Sequence, residues 1–96
     1  MRKSNIQPLS EVLREYLNTF GLEKRLTEIR LIDSWPEVVG LSVAKKTASL
    51  HIKNRVLFVY LHSSIVRAEL MRIRTSLPKA LNEKAGANVI DEVVFR

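Results

Sequence analysis

Five cations and two aromatic rings fall within a short central stretch: Lys45, Lys46, Lys53, Arg55, Phe58, Tyr60 and Arg67, with Arg72, Arg74, Lys79 and Lys84 following. Cations of this kind neutralise phosphates without reading sequence, and rings interleaved with them can stack on unpaired bases for roughly 1–3 kcal/mol each. The charge is concentrated there. Residues 1–44 carry six basic and six acidic side chains, residues 45–84 nine and two, and residues 85–96 one and two, within a total of +6. A polyanion is the partner this distribution favours. On a helical wheel Arg67 and Arg74 share one flank of an apolar stripe, whereas Arg72 and Lys79 lie nearly opposite, so only the first pair can join a single patch.

Other chemistries lack their parts. His51 and His62 share a sheet face but occupy different rows, with no carboxylate or cysteine on their strands to complete a metal site. Ser63 and Ser64 follow His62 directly, yet adjacency in sequence does not build a triad, and capping of a helix accounts for both. The three glycines, Gly21, Gly40 and Gly86, are far apart and form no phosphate loop. Asp91 and Glu92 are strand neighbours that point to opposite faces. The expectation is a binding protein that is not an enzyme and needs no cofactor or metal.

The elements that must hold these residues follow from periodicity. Leu9, Val12, Leu13, Tyr16, Leu17 and Phe20 predict a first helix between Pro8 and Gly21, after an N-terminal extension over 1–8. Leu22, Leu26, Ile29 and Ile32 or Asp33 form the stripe of a second amphipathic helix. Pro36 disfavours helical geometry at Trp35, which predicts a corner with Trp35 plugging the core, then one helical turn through Val39 closed by Gly40. From Thr47 the period becomes two. With Asn54 and Arg55 as a two-residue turn, Lys53 faces Val56, Ile52 faces Leu57, Leu50 faces Val59 and Ala48 faces Leu61. On the other face His51 pairs with Phe58, Ser49 with Tyr60 and Thr47 with His62.

After the Ser63–Ser64 cap, Val66, Leu70, Ile73, Leu77 and Leu81 trace a long helix to Gly86, kinked near Pro78 or split in two at Leu77. A last strand over about Val89 to Phe95 points Val93 and Phe95 at the core. Residues 9–96 therefore read as a single two-layer α+β domain in the order α-α-β-β-α(kinked)-β, with a three-stranded sheet packed on helices. The opposite sheet face, carrying His51, Lys53, Phe58, Tyr60 and His62, is left open or available to a partner. Gly and Pro number only six and hydrophobic residues make up 46%, a balance suited to a folded core. With no cysteine and no apolar run near the length of a membrane span, a cytoplasmic protein with no membrane partner is expected.

The run Trp35-Pro36-Glu37-Val38-Val39-Gly40, then Ala44, a Leu57–Leu61 strand leading into Ser63, Glu69-Leu70 within the following helix, and the closing Val93–Phe95 strand resemble the DciA family in order and spacing. The likeness spans about Leu9 to Arg96. It implies a K-homology-like fold, nucleic-acid binding, and a role in loading or regulating the bacterial replicative helicase. The Gly-x-x-Gly loop with which K-homology domains grip nucleic acid is absent, and Ile65 stands where the family has a tryptophan. DciA proteins commonly continue into a flexible tail implicated in contacting the helicase, a stretch these residues do not include. The residues expected to bind nucleic acid are Lys45, Lys46, Lys53, Arg55, Phe58, Tyr60, Arg67 and Arg74. Single-stranded DNA is the first expected ligand and RNA the second. The alternative reading is a protein-docking module that binds a helicase or a second copy of itself, with Phe58 and Tyr60 as interface anchors.

Overall fold

The structure, a computed structural model, describes residues 11–16, 18, 19 and 21–96. Helix α1 is seen at residues 11–16, 18 and 19; the expected core residues Leu9, Leu17 and Phe20 and the 1–8 extension lie outside the described residues. Then come α2 (Leu22–Asp33), α3 (Trp35–Val39), α4 (Leu41–Lys45), β1 (Thr47–Lys53), β2 (Val56–Leu61), α5 (Ser64–Met71), α6 (Leu77–Ala85) and β3 (Glu92–Phe95). The fold is α+β, with a mixed sheet in the order β1-β2-β3. The β1–β2 pair is antiparallel, whereas β3 runs parallel to β2 and is reached through the α5–α6 crossover.

The hairpin register agrees with the period-two pattern from Ser49 onward: Ser49 faces Tyr60, Leu50 faces Val59, His51 faces Phe58, Ile52 faces Leu57 and Lys53 faces Val56. At its start the register shifts, and Thr47 faces Leu61 in place of the expected His62, with Ala48 unpaired. The cause is polar. Thr47 Oγ1 accepts a 3.0 Å hydrogen bond from Trp35 Nε1 and donates one of 2.9 Å to the Val43 carbonyl, so Thr47 is drawn toward the helices and the extra residue becomes a bulge.

Trp35 is the corner plug, buried with its one polar atom satisfied. It belongs to an inward row with Leu31 and Ser34, spaced i, i+3 and i+4, in which Ser34 Oγ donates to the Leu31 carbonyl at 2.7 Å. This row overturns one expectation. The stripe of Leu22, Leu26 and Ile29 predicts the core side of α2, yet these residues are exposed, and Leu31, on the opposite side of the helix, is fully buried. The corner orients the helix because Trp35 can be buried only if Leu31 goes in with it.

The long helix is two helices. Ser63 caps α5, its side chain accepting from Val66 N–H at 3.2 Å. The break occupies residues 72–76, earlier than Pro78, which sits in the first turn of α6 where its missing N–H costs nothing. Ile73, expected on the apolar stripe, is therefore in the turn and exposed. Leu77, Leu81 and Ala85 complete the inner side of α6. The last strand is shorter than expected: Val89 and Ile90 are buried but belong to the loop before β3.

That loop is held by one side chain. Asn82 Oδ1 accepts from Val89 N–H at 2.9 Å and Ile90 N–H at 3.0 Å, while Nδ2 donates to the Ile90 carbonyl at 2.9 Å and to Asn88 Oδ1 at 3.2 Å. Those two backbone donors are beyond the reach of the sheet ladder, so removing the amide leaves partly buried groups unpaired. Asn82→Ala is expected to destabilise the fold by about 1–3 kcal/mol, read as a lower urea midpoint at unchanged slope.

Candidate nucleic-acid interface

The outer face of the sheet is built by the residues between the inward Leu57, Val59 and Leu61, which places His51, Lys53, Phe58 and Tyr60 together with Val94 and Arg96 of the β3 end. Phe58 is half-buried. The His51 ring lies 6.3 Å from it at a tilt of 36°, and the Arg96 guanidinium sits 5.6 Å from its centroid, so this ring already has neighbours on the protein. Tyr60 is the open ring, 40% exposed.

Several cations on the sheet and on the elements beside it have no acidic partner. Among the described residues Lys45, Lys46, Lys53, Arg67, Arg74 and Arg96 make no ion pair. Lys46 is brought to the Tyr60 end of the hairpin because His62 N–H donates to its carbonyl at 2.8 Å, and Lys45 precedes it at the close of α4. Arg67 approaches from α5, where its Nε and Nη2 both lie 3.4 Å from the Arg96 carbonyl. Arg96, which the alternation of the last strand puts on the face opposite the core, was not among the expected binding residues. Only the parallel addition of β3 next to β2 brings it over Phe58, although its alternation with Val94 along the last strand was a usable signal. Lys53 sits at the far, hairpin end of the same face, and Arg74 is half-buried in the α5–α6 turn.

Arg55 is placed differently. Asn54 and Arg55 have φ of 52° and 64°, the left-handed pair that a two-residue hairpin turn requires, and arginine has no intrinsic preference for that region. It is held there on all sides. Its carbonyl accepts from Asp91 N–H at 2.8 Å, its Nε and Nη2 bind the two Asp91 carboxylate oxygens at 2.9 and 2.8 Å, and Nη1 donates to the Asn88 carbonyl at 3.0 Å. The expected phosphate ligand is thus a clasp between the hairpin turn and the approach to β3, and Asp91 is no ordinary strand charge. The hydrogen bonds from Arg55 hold the Asp91 carboxyl below its usual range, and those to Asp91 push the Arg55 guanidinium up.

No cluster of histidine, aspartate or glutamate among the described residues could hold a metal ion, and no described helix is long and apolar enough to cross a membrane. The ordered set of the Trp35–Gly40 corner, the hairpin and its serine-capped helix is matched by the family model described as "Dna[CI] antecedent, DciA" over residues 8–95. The chain belongs to the DciA family. Among curated proteins, this DciA domain is 26% identical over 87 residues to a "UPF0232 protein" of Corynebacterium glutamicum (strain R), a match covering 91% of the chain and 49% of that protein. The chain thus spans about half the length of the curated relative it matches. No solved structure matches the DciA domain significantly.

Since the lowered carboxyl range of Asp91 reflects stabilisation of its charged form, the clasp contributes fully at neutral pH and is lost as pH falls through that lowered range. Asp91→Asn is expected to melt lower than the parent at neutral pH, with the difference closing in acid, as thermal scans at both conditions would record.

Proposed function

We propose that this DciA domain binds single-stranded nucleic acid, DNA foremost, on the outer sheet face around Tyr60, and acts in the bacterial cytoplasm as a non-catalytic accessory factor in loading or regulating the replicative helicase. The observation that carries the binding is an exposed ring on the outer sheet face, Tyr60, with the unpaired Lys53 and Arg96 on the same face and the unpaired Lys45, Lys46 and Arg67 on adjoining elements. A ring on a sheet needs an unstacked base, which a single strand supplies and an intact duplex withholds. Membership of a family named as an antecedent of helicase-loading factors supports the replication role.

A K-homology-like reading of the fold is supported by the antiparallel hairpin, the two-helix crossover and the parallel third strand. The turn between α5 and α6, at residues 72–76, has no glycine and carries Arg72 and Arg74. The grip on the strand is therefore assigned to the sheet face and its cationic rim, with Phe58 bracing the surface between His51 and Arg96 and Tyr60 making the stacking contact. Arg55 contributes to the position of the hairpin and little to phosphate neutralisation, because Asp91 already offsets its charge.

Fluorescence anisotropy of labelled single-stranded DNA, single-stranded RNA and duplex over a salt series tests this reading. Affinity is expected to fall with salt, single strands to bind more tightly than duplex, and Tyr60→Ala to weaken binding by about 1–3 kcal/mol. Lys45→Ala with Lys46→Ala should reduce the salt slope by roughly 0.7 for each phosphate that is no longer neutralised, whereas Arg55→Ala should leave it nearly unchanged. Tighter RNA binding would move the ligand to RNA, and absence of binding at low salt would overturn the proposal.

A further inference from the structure

Helix α2 carries two apolar rows, and the fold uses one. Leu31 points into the core, while Leu22, Leu26 and Ile29 form a stripe on the opposite side of the helix at 36, 43 and 48% exposure. Helix α1 lies next to it: Leu13 and Arg14 line a shallow groove with Leu26, Thr27 and Arg30. Yet Val12 and Leu13 are themselves 62 and 57% exposed, so among the described residues neither these side chains of α1 nor the α2 stripe is buried. An apolar surface built from two adjacent helices at regular helical spacing exceeds the scattered single residues that a soluble surface ordinarily shows.

Charge narrows what can cover it. Residues 1–33 carry six bases (Arg2, Lys3, Arg14, Lys24, Arg25 and Arg30) and five acids (Glu11, Glu15, Glu23, Glu28 and Asp33), a net of +1, whereas residues 34–96 carry ten bases and five acids, a net of +5. A strongly basic or acidic partner gains little from a surface whose charges are balanced. Two copies of a +6 chain repel if they meet through the sheet face or through α5 and α6, and they avoid that repulsion through α1 and α2. The interspersed signs also suit a two-fold arrangement, since each copy presents both acids and bases to the other.

We propose that a second copy of this chain covers the α1–α2 apolar face, giving a two-fold dimer held by Leu22, Leu26 and Ile29 of α2 and by Val12 and Leu13 of α1. This goes beyond the nucleic-acid reading and does not depend on it. Because Leu31 faces the core and the stripe lies on the opposite side of α2, the dimer leaves Tyr60, on the outer face of the sheet, uncovered on both copies. Such a dimer presents two strand-binding faces, and a long single strand reaching both would gain by effective concentration.

Sedimentation of the protein alone, without nucleic acid, from about 1 μM to about 1 mM brackets dimers of ordinary strength. The mass is expected to rise from 11.0 kDa to twice that value. The double variant Leu26→Glu, Ile29→Glu is expected to stay monomeric with an unchanged far-ultraviolet spectrum, and Tyr60→Ala to dimerise like the parent. The unsubstituted protein supplies an independent readout: on dilution, amide NMR shifts should move along α1 and α2 and stay still at Ser49, Phe58 and Tyr60. A mass of 11.0 kDa throughout, a dimer that survives the double variant, or dilution shifts centred on the sheet face would each overturn the proposal. As no nucleic acid is present, failure here leaves the anisotropy result standing, and the reverse also holds.

Discussion

Strand β2 is the constraint on which the rest of the molecule depends. Among the described strands it alone is paired on both sides, antiparallel to β1 and parallel to β3, and its alternation divides the protein into a core and a surface. Leu57, Val59 and Leu61 are buried under the helices, while Phe58 and Tyr60 face outward. A shift of one residue would exchange these sets, exposing three aliphatic side chains and burying a tyrosine hydroxyl. The parallel third strand also obliges the chain to cross over, and α5 and α6 are that crossover.

Two polar devices close the structure where apolar packing cannot. At the hairpin end, Arg55 and Asp91 join a left-handed turn to the segment entering β3; at the end of α6, Asn82 supplies hydrogen-bond partners to the loop over Val89 and Ile90. Both act on the same short segment, residues 88–91, which must reach the edge of β2 in register for Val93 to meet Leu57. The clasp has a functional consequence. It offsets the charge of Arg55 at the hairpin end, where Lys53 remains without an ion pair.

The α2 helix illustrates how a corner can outrank a periodic stripe. Leu22, Leu26 and Ile29 make the more regular pattern, but Leu31 shares a row with Ser34 and Trp35, and the tryptophan has the largest buried side chain in the core. Once Trp35 is fixed by its hydrogen bond to Thr47, the rotation of α2 about its axis is no longer free. The same bond creates the bulge at the start of β1. One indole N–H thereby sets both the orientation of a helix and the register at a strand end.

Much of this was legible in the residues themselves, because local pattern and physical outcome coincide there. Period-two alternation on either side of Asn54-Arg55 determined the hairpin and the face on which Phe58 and Tyr60 lie; Gly40, Gly86 and Ser63 marked element ends; and the order from Trp35 to Phe95 identified the family. Tertiary structure alone decided which stripe of α2 is buried, that Thr47 turns inward, that Arg55 is spent on Asp91, and that Arg96 joins Phe58. Each of these joins residues far apart in the chain, or on different elements, through a hydrogen bond, an ion pair or a ring contact. Periodicity describes what one element prefers by itself; which of two preferences prevails is settled by the neighbour that arrives from elsewhere in the chain.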